Sequence, residues 1–379
     1  MEEYISRYIE TSVLDHVKRK MVFVGGPLQS GKTTLAKSLG RQRGYDVESW
    51  YLSWDSAEDR EKIITEQFPA GSGILILDEI HKYSGWGQAL KGLQEKRVDE
   101  LHILVTGSAR LDHYLYGGDY LQGRYHFYRL FPFTWAELGA PSISTVKDLL
   151  IYGGFPEQFL SQSEKQTKRL SSEYRLRIIE GNLSKLENVN DLGLIEKMVI
   201  RLPDLVGAPL SLNAIRADLQ VSHQSVSRWL TMLENLYLIF RIYPFGAPKL
   251  RAVKKEAKHY HLDWTVIPEE RYRFENLIAC HLLKWCFFLQ DTEGRNIELR
   301  YFRDVDKREV DFVITEDDKP VHFIEATLSG KDCSASLRYL KKHFPLVPAT
   351  QIILDQDVDV ATKDGIRICS AHFFLKDLI

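Results

Sequence analysis

Strands alternating with helices over the first third of the chain predict an α/β fold built on a parallel sheet. Two observations locate the working edge of that sheet. A glycine-rich loop stands between the first apolar strand and a helix, and a later apolar strand ends in two adjacent acids. At 379 residues the chain exceeds the usual size of one hydrophobic core, so further domains are expected beyond this sheet.

The elements follow in order. A helical pattern over about Glu3 to Lys18 precedes a strand at Met21 to Val24, and a helix runs from Lys32 to about Arg41. The apolar runs Val47 to Leu52, Ile74 to Leu77 and Leu101 to Val105 read as buried parallel strands, with Tyr125 to Leu130 as a fifth. The character changes at Pro132. Short helices at Phe133 to Leu138 and Lys147 to Tyr152 lead to longer ones at Glu164 to Leu186 and Leu194 to Leu202. Two helical segments, Leu212 to Leu219 and Gln224 to Leu236, flank a tight connection in which Ser222 is an N-cap candidate. With the strand Tyr237 to Tyr243 after them, they outline a winged helix-turn-helix. From Pro248 the pattern restarts: a helix at Glu269 to Leu289, strands at Glu298 to Phe302, Val310 to Thr315 and Val321 to Ala326, a helix at Leu337 to His343, and short strands at Gln351 to Leu354 and Arg367 to Cys369. The expected organisation is a core over 1–140, a helical lid over 141–200, the winged segment over 201–247 and a mixed α/β domain over 248–379.

Composition excludes several classes. Hydrophobic residues make up 44% and charged residues 27%, so the chain is globular rather than disordered. Fifty basic against fifty-two acidic residues leave no bulk charge to hold nucleic acid, although a local patch remains open. Cys280, Cys286, Cys333 and Cys369 form no metal-spaced set and read as buried free thiols in a reducing compartment. The N-terminal residues lack a signal-peptide pattern and no apolar run is long enough for a membrane span, which points to the cytoplasm.

Gly26-Pro27-Leu28-Gln29-Ser30-Gly31-Lys32-Thr33 satisfies GxxxxGK[ST] between a strand and a helix, with Thr34 next in the turn. Glycines let the backbone N–H groups face phosphate oxygens, and the helix N-terminus adds favourable charge. In that setting Lys32 would reach the β- and γ-phosphates and Thr33 would ligate magnesium. Ile74 to Leu77 ends in Asp78-Glu79, which offers a second magnesium ligand in Asp78 and a group to polarise the attacking water in Glu79. The expected small-molecule partners are therefore ATP and Mg2+. The order of the strands suits an extra strand between the loop strand and the acid strand. At the end of Leu101 to Val105, Ser108 and Thr106 are candidates to sense the γ-phosphate, with a simple turn as the alternative. Arg124, and behind it Arg110, are candidates to approach a phosphate in the same subunit or from a neighbour.

These residues together resemble the bacterial and archaeal AAA+-like ATPases that carry a DUF4143 domain. The shared strings are GGPLQSGKTTL, LILDEI, LVTGSARL, LQGRYHFYRLFPFTWAEL, IYGGFPE, RFENLI, EVDFVI and FIEAT, almost end to end. The resemblance implies an AAA+ P-loop core and a C-terminal domain similar to the PD-(D/E)xK nuclease fold. It also implies an arginine-finger or sensor role for Arg124, and with a finger supplied in trans, a homo-oligomer in which a ring is possible. Glu275, Asp311 and Glu325 would then be the acids of a nuclease-like metal site. Two departures stand out: His81 follows Asp78-Glu79-Ile80 where the family often has glutamine, and the expected E-x-K reads Glu325-Ala326-Thr327. Without that lysine the domain reads as inactive, unless Lys331 replaces it.

DNA is a candidate partner. His223, Gln224, Ser225, Ser227 and Arg228 stand near the start of the second helix of the pair, and Lys249, Arg251, Lys254, Lys255 and Lys258 face only Glu256 in their stretch. Packing of that helix as a structural module, and a solvated basic linker, are the plain alternatives. Three readings of function follow: ATP hydrolysis driving remodelling of, or movement on, DNA; an ATP-driven switch acting on a protein partner; and an ATP-regulated nuclease.

Overall fold

The computed structural model describes residues 4–42, 47–96, 101–108, 121, 123–139, 142–183, 192–246, 257–330 and 332–379. They form two compact units, Met1–Pro132 and Phe133–Ile379.

The first unit holds a five-stranded sheet. Its strands are β1 (Met21–Gly25), β2 (Tyr51–Ser53), β3 (Gly73–Asp78), β4 (Leu101–Gly107) and β5 (Tyr125–Arg129), in the order β2-β3-β4-β1-β5. Every pairing is parallel. As the sequence order suggested, β4 lies between the loop strand and the acid strand. Alternate residues supply the two faces: Met21, Phe23, Leu75, Leu77, Ile103 and Val105 join one cluster with Trp86, Leu90 and Leu93 of a helix over Trp86–Lys96. Burial of such a side chain contributes about 1.5–3 kcal/mol. Among the described residues the unit also holds the helices α1 (Glu10–His16), α2 (Lys32–Gln42), a short α3 (Val47–Trp50) and α4 (Ala57–Ile64).

Two sequence expectations need correction here. The first helix spans only Glu10–His16. The run Val47 to Leu52 is a helical turn followed by β2 rather than one strand. Val47 and Trp50 are both buried, and residues three apart share a face in a helix but not in a strand. Glycines accept both side chains: a Cβ at Gly40 would lie 2.9 Å from Val47, and one at Gly73 would lie 2.7 Å from the Trp50 ring.

The second unit is a helical region joined to an eight-stranded mixed sheet. The helix of Glu164 ends at Leu176 and continues as a π-helical stretch, Arg177–Leu183, instead of running on as one α-helix. The helix pair is Leu212–Leu219 and His223–Asn235, and the Ser222 side chain accepts the Ser225 N–H, so the N-cap is formed. Its following strand, β6, spans Ile239–Pro244 rather than beginning at Tyr237, and it is a member of the large sheet. With β7 (Lys258–His261), β8 (Ile297–Arg303), β9 (Glu309–Glu316), β10 (Lys319–Thr327), β11 (Ala349–Ile353), β12 (Asp359–Ala361) and β13 (Arg367–Ser370), the order is β12-β13-β11-β10-β9-β8-β6-β7. A long helix, Glu270–Glu293, buries Phe274, Leu277, Ile278, Leu282 and Cys286. It also serves β7: the Asn276 side chain accepts the His261 N–H at 2.8 Å and donates to its carbonyl at 2.6 Å. Those bonds satisfy backbone groups that the end strand of a sheet otherwise leaves open.

The Gly153-Gly154-Phe155-Pro156 segment has a packing reason. Gly153 has φ +79°, and a Cβ there would lie 2.7 Å from Gln158 and 2.9 Å from Thr265. Gln158 in turn donates to Asp263 at 3.2 Å, so this turn is tied to the loop after β7. All four cysteines are buried and free, as expected. Among the described residues no helix is long and apolar enough to cross a membrane.

Candidate nucleotide site and an acidic cluster

The loop after β1 has the backbone that its glycines demand. Gly26 has φ +156° and Gly31 +92°, and Gln29 also lies in the left-handed region at +62°. A Cβ on Gly26 would sit 2.2 Å from the Leu130 carbonyl oxygen, so no other residue fits there. Helix α2 begins at Lys32, directly behind the loop. The Lys32 ammonium donates to the carbonyls of Gly26 at 3.1 Å and Pro27 at 2.6 Å, so it curls over the loop itself. Burial lowers its pKa to about 8, against the opposing charges of Glu79 and Asp78. The Ser30 hydroxyl oxygen is buried with no hydrogen-bond partner among the described residues.

Asp78 ends β3 and is fixed by three hydroxyl groups. Thr33 donates to it at 2.8 Å and Tyr51 at 2.7 Å, and Thr106 donates to its other oxygen. Glu79 has φ +57°, which turns its side chain away from the run of the strand. The Ser108 hydroxyl donates to it at 3.0 Å, and Lys82, which also holds Asp55, stands 3.2 Å from the same oxygen. His81 lies 3.7 Å from Glu79, and burial lowers its pKa, which favours the neutral ring. The two candidates at the end of β4 thus divide: Thr106 faces Asp78 and Ser108 faces Glu79.

The residues fit a triphosphate and its magnesium on this geometry. A glycine-shaped cradle, an orphaned buried hydroxyl, a lysine bonded to loop carbonyls, and a hydroxyl–carboxylate pair lie together at the carboxyl edge of the sheet, where β1 and β3 end on either side of β4. Gly26 through Thr34 form the cradle and the first turn of α2, and Thr33 with Asp78 is the pair suited to the ion.

Sequence reasoning missed two supports. Arg7 is 5% exposed, and it donates to the Ser30 carbonyl at 2.7 Å and the Phe131 carbonyl at 2.6 Å, which braces the loop. Tyr51 was passed over because a lone tyrosine in an apolar run carries no signal. Arg124 is not brought to the loop. It precedes β5, whose Tyr125 pairs with Met21, at the start of β1, and it forms an ion pair with Glu95 at 3.1 Å. The loop follows the other end of β1, about 16 Å away at about 3.3 Å per residue. Arg110 lies outside the described residues.

The predicted acids of the second unit do not converge on a metal. Among the described residues no group of three or more His, Cys, Asp or Glu side chains is disposed to hold one. Glu275 and Asp311 instead face an ammonium, that of Lys258, at 3.3 and 3.7 Å, and Glu309 joins them at 2.6 Å. Lys258 is fully buried, so it is not part of a surface basic patch. The other members of that run, Lys249, Arg251, Lys254 and Lys255, lie outside the described residues, as does Lys331. The register that pairs Ile324 with Phe312 carries Glu325 to Asp311, and the Ala326 N–H donates to Asp311 at 3.0 Å. Burial raises the pKa of Asp311, with the Glu275 charge adding to it, and burial with the Asp311 charge raises that of Glu325. Thr327 bonds the Ser329 carbonyl at 2.9 Å.

Comparison with known proteins gives three matched stretches. The family model described as an AAA domain matches residues 18–139, a domain of unknown function, DUF8612, matches 143–267, and another, DUF4143, matches 273–374. An uncharacterized protein of Haemophilus influenzae is 23% identical over 357 residues, covering 84% of each chain. One from Mycobacterium tuberculosis is 22% identical over 245 residues, 64% of this chain and 54% of that one. Among solved structures, the Thermotoga maritima RuvB Holliday junction branch migration motor has a TM-score of 0.33 at 17% identity, covering 64% of this chain and 91% of its own. The Aeropyrum pernix ORC1 protein in complex with DNA has 0.34 at 15%, covering 75% and 97%. Likenesses of that size carry no argument about activity. The chain thus matches an AAA domain over the residues that hold the loop, the acids and the parallel sheet, and a DUF4143 domain over most of the mixed sheet.

Proposed function

We propose that the chain binds and hydrolyses ATP at the loop of Gly26 to Thr34 and couples turnover to work on DNA. The observation that carries the first half is the pairing, at one edge of the sheet, of Thr33 of α2 with Asp78 of β3 at 2.8 Å and of Ser108, just after β4, with Glu79 at 3.0 Å. Loop N–H groups and Lys32 would hold the phosphates. Thr33 and Asp78 would hold magnesium, which would supply positive charge to the phosphate oxygens. Glu79 takes the proton of the attacking water at its carboxylate, and Ser108 and Lys82 fix where that carboxylate points. Arg124 lies at the far edge of its own sheet, so a role for it at a phosphate requires a neighbouring subunit and hence a homo-oligomer.

The DNA half is supported by the helix His223–Asn235. Its buried face is Val226, Trp229, Leu230 and Leu233, which leaves His223, Gln224 and Arg228 on the exposed side of its first turns. The second unit would contact DNA without cutting it, since Thr327 brings no charge to the place of the expected lysine. Measuring ATP turnover with and without single- and double-stranded DNA, alongside the mass in solution, tests the reading. DNA-stimulated turnover by an oligomer is expected. Turnover indifferent to DNA, with no binding at low salt, would replace DNA by a protein partner, and full turnover by a monomer would remove Arg124 from the mechanism.

A further inference from the structure

The cluster around Lys258 does work that neither a metal site nor a surface patch would do. Lys258 opens β7 and is fully buried. Its ammonium lies among carboxylates from two elements: Glu275 of the long helix, and Glu309 and Asp311 of β9. Glu309 and Asp311 are two apart on one strand and so share a face. The Tyr301 ring lies 5.6 Å from the ammonium, and the Tyr260 hydroxyl donates to Glu275 at 2.8 Å. One oxygen of Glu325, the neighbour of Asp311 across the strands, is buried with no partner among the described residues. Three carboxylates thus surround the Lys258 ammonium, with a fourth beside them, and Arg303 stands 3.5 Å from the other oxygen of Glu309.

We propose that Lys258 is the built-in cation of a latent divalent-metal site, and that its ammonium keeps metal out of the Glu275–Glu309–Asp311 cluster. An ammonium offers three donors and one charge on a fixed tether. A hard divalent ion would use the same oxygens at shorter range, and the two cannot share the position. Full burial also prevents Lys258 from reaching a phosphate in solvent, so it does not act as a displaced catalytic lysine. The inference is independent of the ATPase reading, because every group in it belongs to the second unit.

Manganese binding to the full chain tests it, with wild type, Lys258→Met and Lys258→Met/Asp311→Asn compared under identical nucleotide-free conditions. Any ion at the nucleotide loop then contributes equally to all three. Removal of the ammonium is expected to add one equivalent of bound Mn2+, seen by electron paramagnetic resonance, and Asp311→Asn is expected to abolish the gain. A wild-type protein that already binds an Asp311-dependent ion overturns the proposal, as does a folded Lys258→Met that binds nothing extra. Where Lys258→Met fails to fold alone, millimolar Mn2+ is expected to restore its circular dichroism and cooperative melting, and failure to do so overturns the proposal equally.

Discussion

Each unit buries a lysine beside two or more carboxylates, Lys32 in the first and Lys258 in the second, and these two are put to opposite uses. Lys32 spends its donors on the loop carbonyls of Gly26 and Pro27, while Asp78 and Glu79 are occupied by hydroxyl groups and Lys82. Lys258 spends its donors on the carboxylates themselves. Their proton affinities diverge accordingly. Burial lowers the pKa of Lys32 to about 8. For Lys258 the same burial pulls downward, but the charges of Glu275, Asp311 and Glu309 override it and the net shift is upward. A lysine kept apart from its acids remains available to an incoming anion. One locked onto them is a fixture.

The largest effect that can break this contrast lies at Glu79. If the first unit is a working site, Glu79→Gln should keep nucleotide binding and slow hydrolysis by about 10²–10⁴-fold, because an amide cannot take the proton of water. Fluorescent-nucleotide binding with single-turnover hydrolysis separates the two steps. Unchanged turnover would remove Glu79 from the chemistry and leave the site a nucleotide-binding switch.

The difference between the lysines also has a pH signature. A bound phosphate favours the charged form of Lys32 and raises its pKa. Below about pH 8 the lysine is protonated with or without nucleotide, so affinity should be flat. Above it, binding must first take up a proton, and affinity should fall by up to about tenfold per pH unit until the raised pKa is reached. Calorimetry in buffers of different ionisation heat should show that proton uptake. A pH-independent affinity from about pH 7 to 10 would mean that Lys32 is not the group that meets the phosphate.

The sequence made the first unit legible because its signals are local. A strand, a glycine loop and a helix in succession determine where Lys32 and Thr33 lie, and an apolar strand delivers Asp78 to the same edge whichever way the rest of the chain folds. Features that depend on distant strands were misread. Arg124 was a candidate to approach a phosphate in its own subunit or from a neighbour, and the parallel register of β1 and β5 puts it at the end of β1 away from its own loop. Lys258 looked like the last residue of a basic run. It is buried because β7 pairs with β6 and the long helix covers that strand, neither of which a charge count can show. Glu309 was visible only as the residue before Asp311 by two, and its role needed the lysine to be placed first. Arg7 is the plainest case: a single arginine just ahead of the first helix braces Ser30 and Phe131, and nothing in its neighbourhood announces it.

The finest test concerns the two hydroxyl groups at the end of β4, which sequence could not tell apart. Thr106 donates to Asp78 and Ser108 to Glu79, so they should fail differently. Ser108→Ala leaves Glu79 with Lys82 at 3.2 Å and His81 at 3.7 Å as its remaining neighbours. Those contacts are expected to draw the carboxylate toward the turn of Ile80–Lys82 that follows β3 and away from β4. The expected loss is therefore in orientation: kcat falls by about tenfold, the worth of about one hydrogen bond to a charged group, with KM for ATP unchanged. Ser108→Thr keeps the hydroxyl and should recover most of the rate. Thr106→Val acts on the magnesium partner instead, so it should raise the magnesium concentration needed for half-maximal turnover, which Ser108→Ala should not. Equal responses of the two variants to magnesium would show that β4 supplies one shared network, and that Ser108 has no separate hold on Glu79.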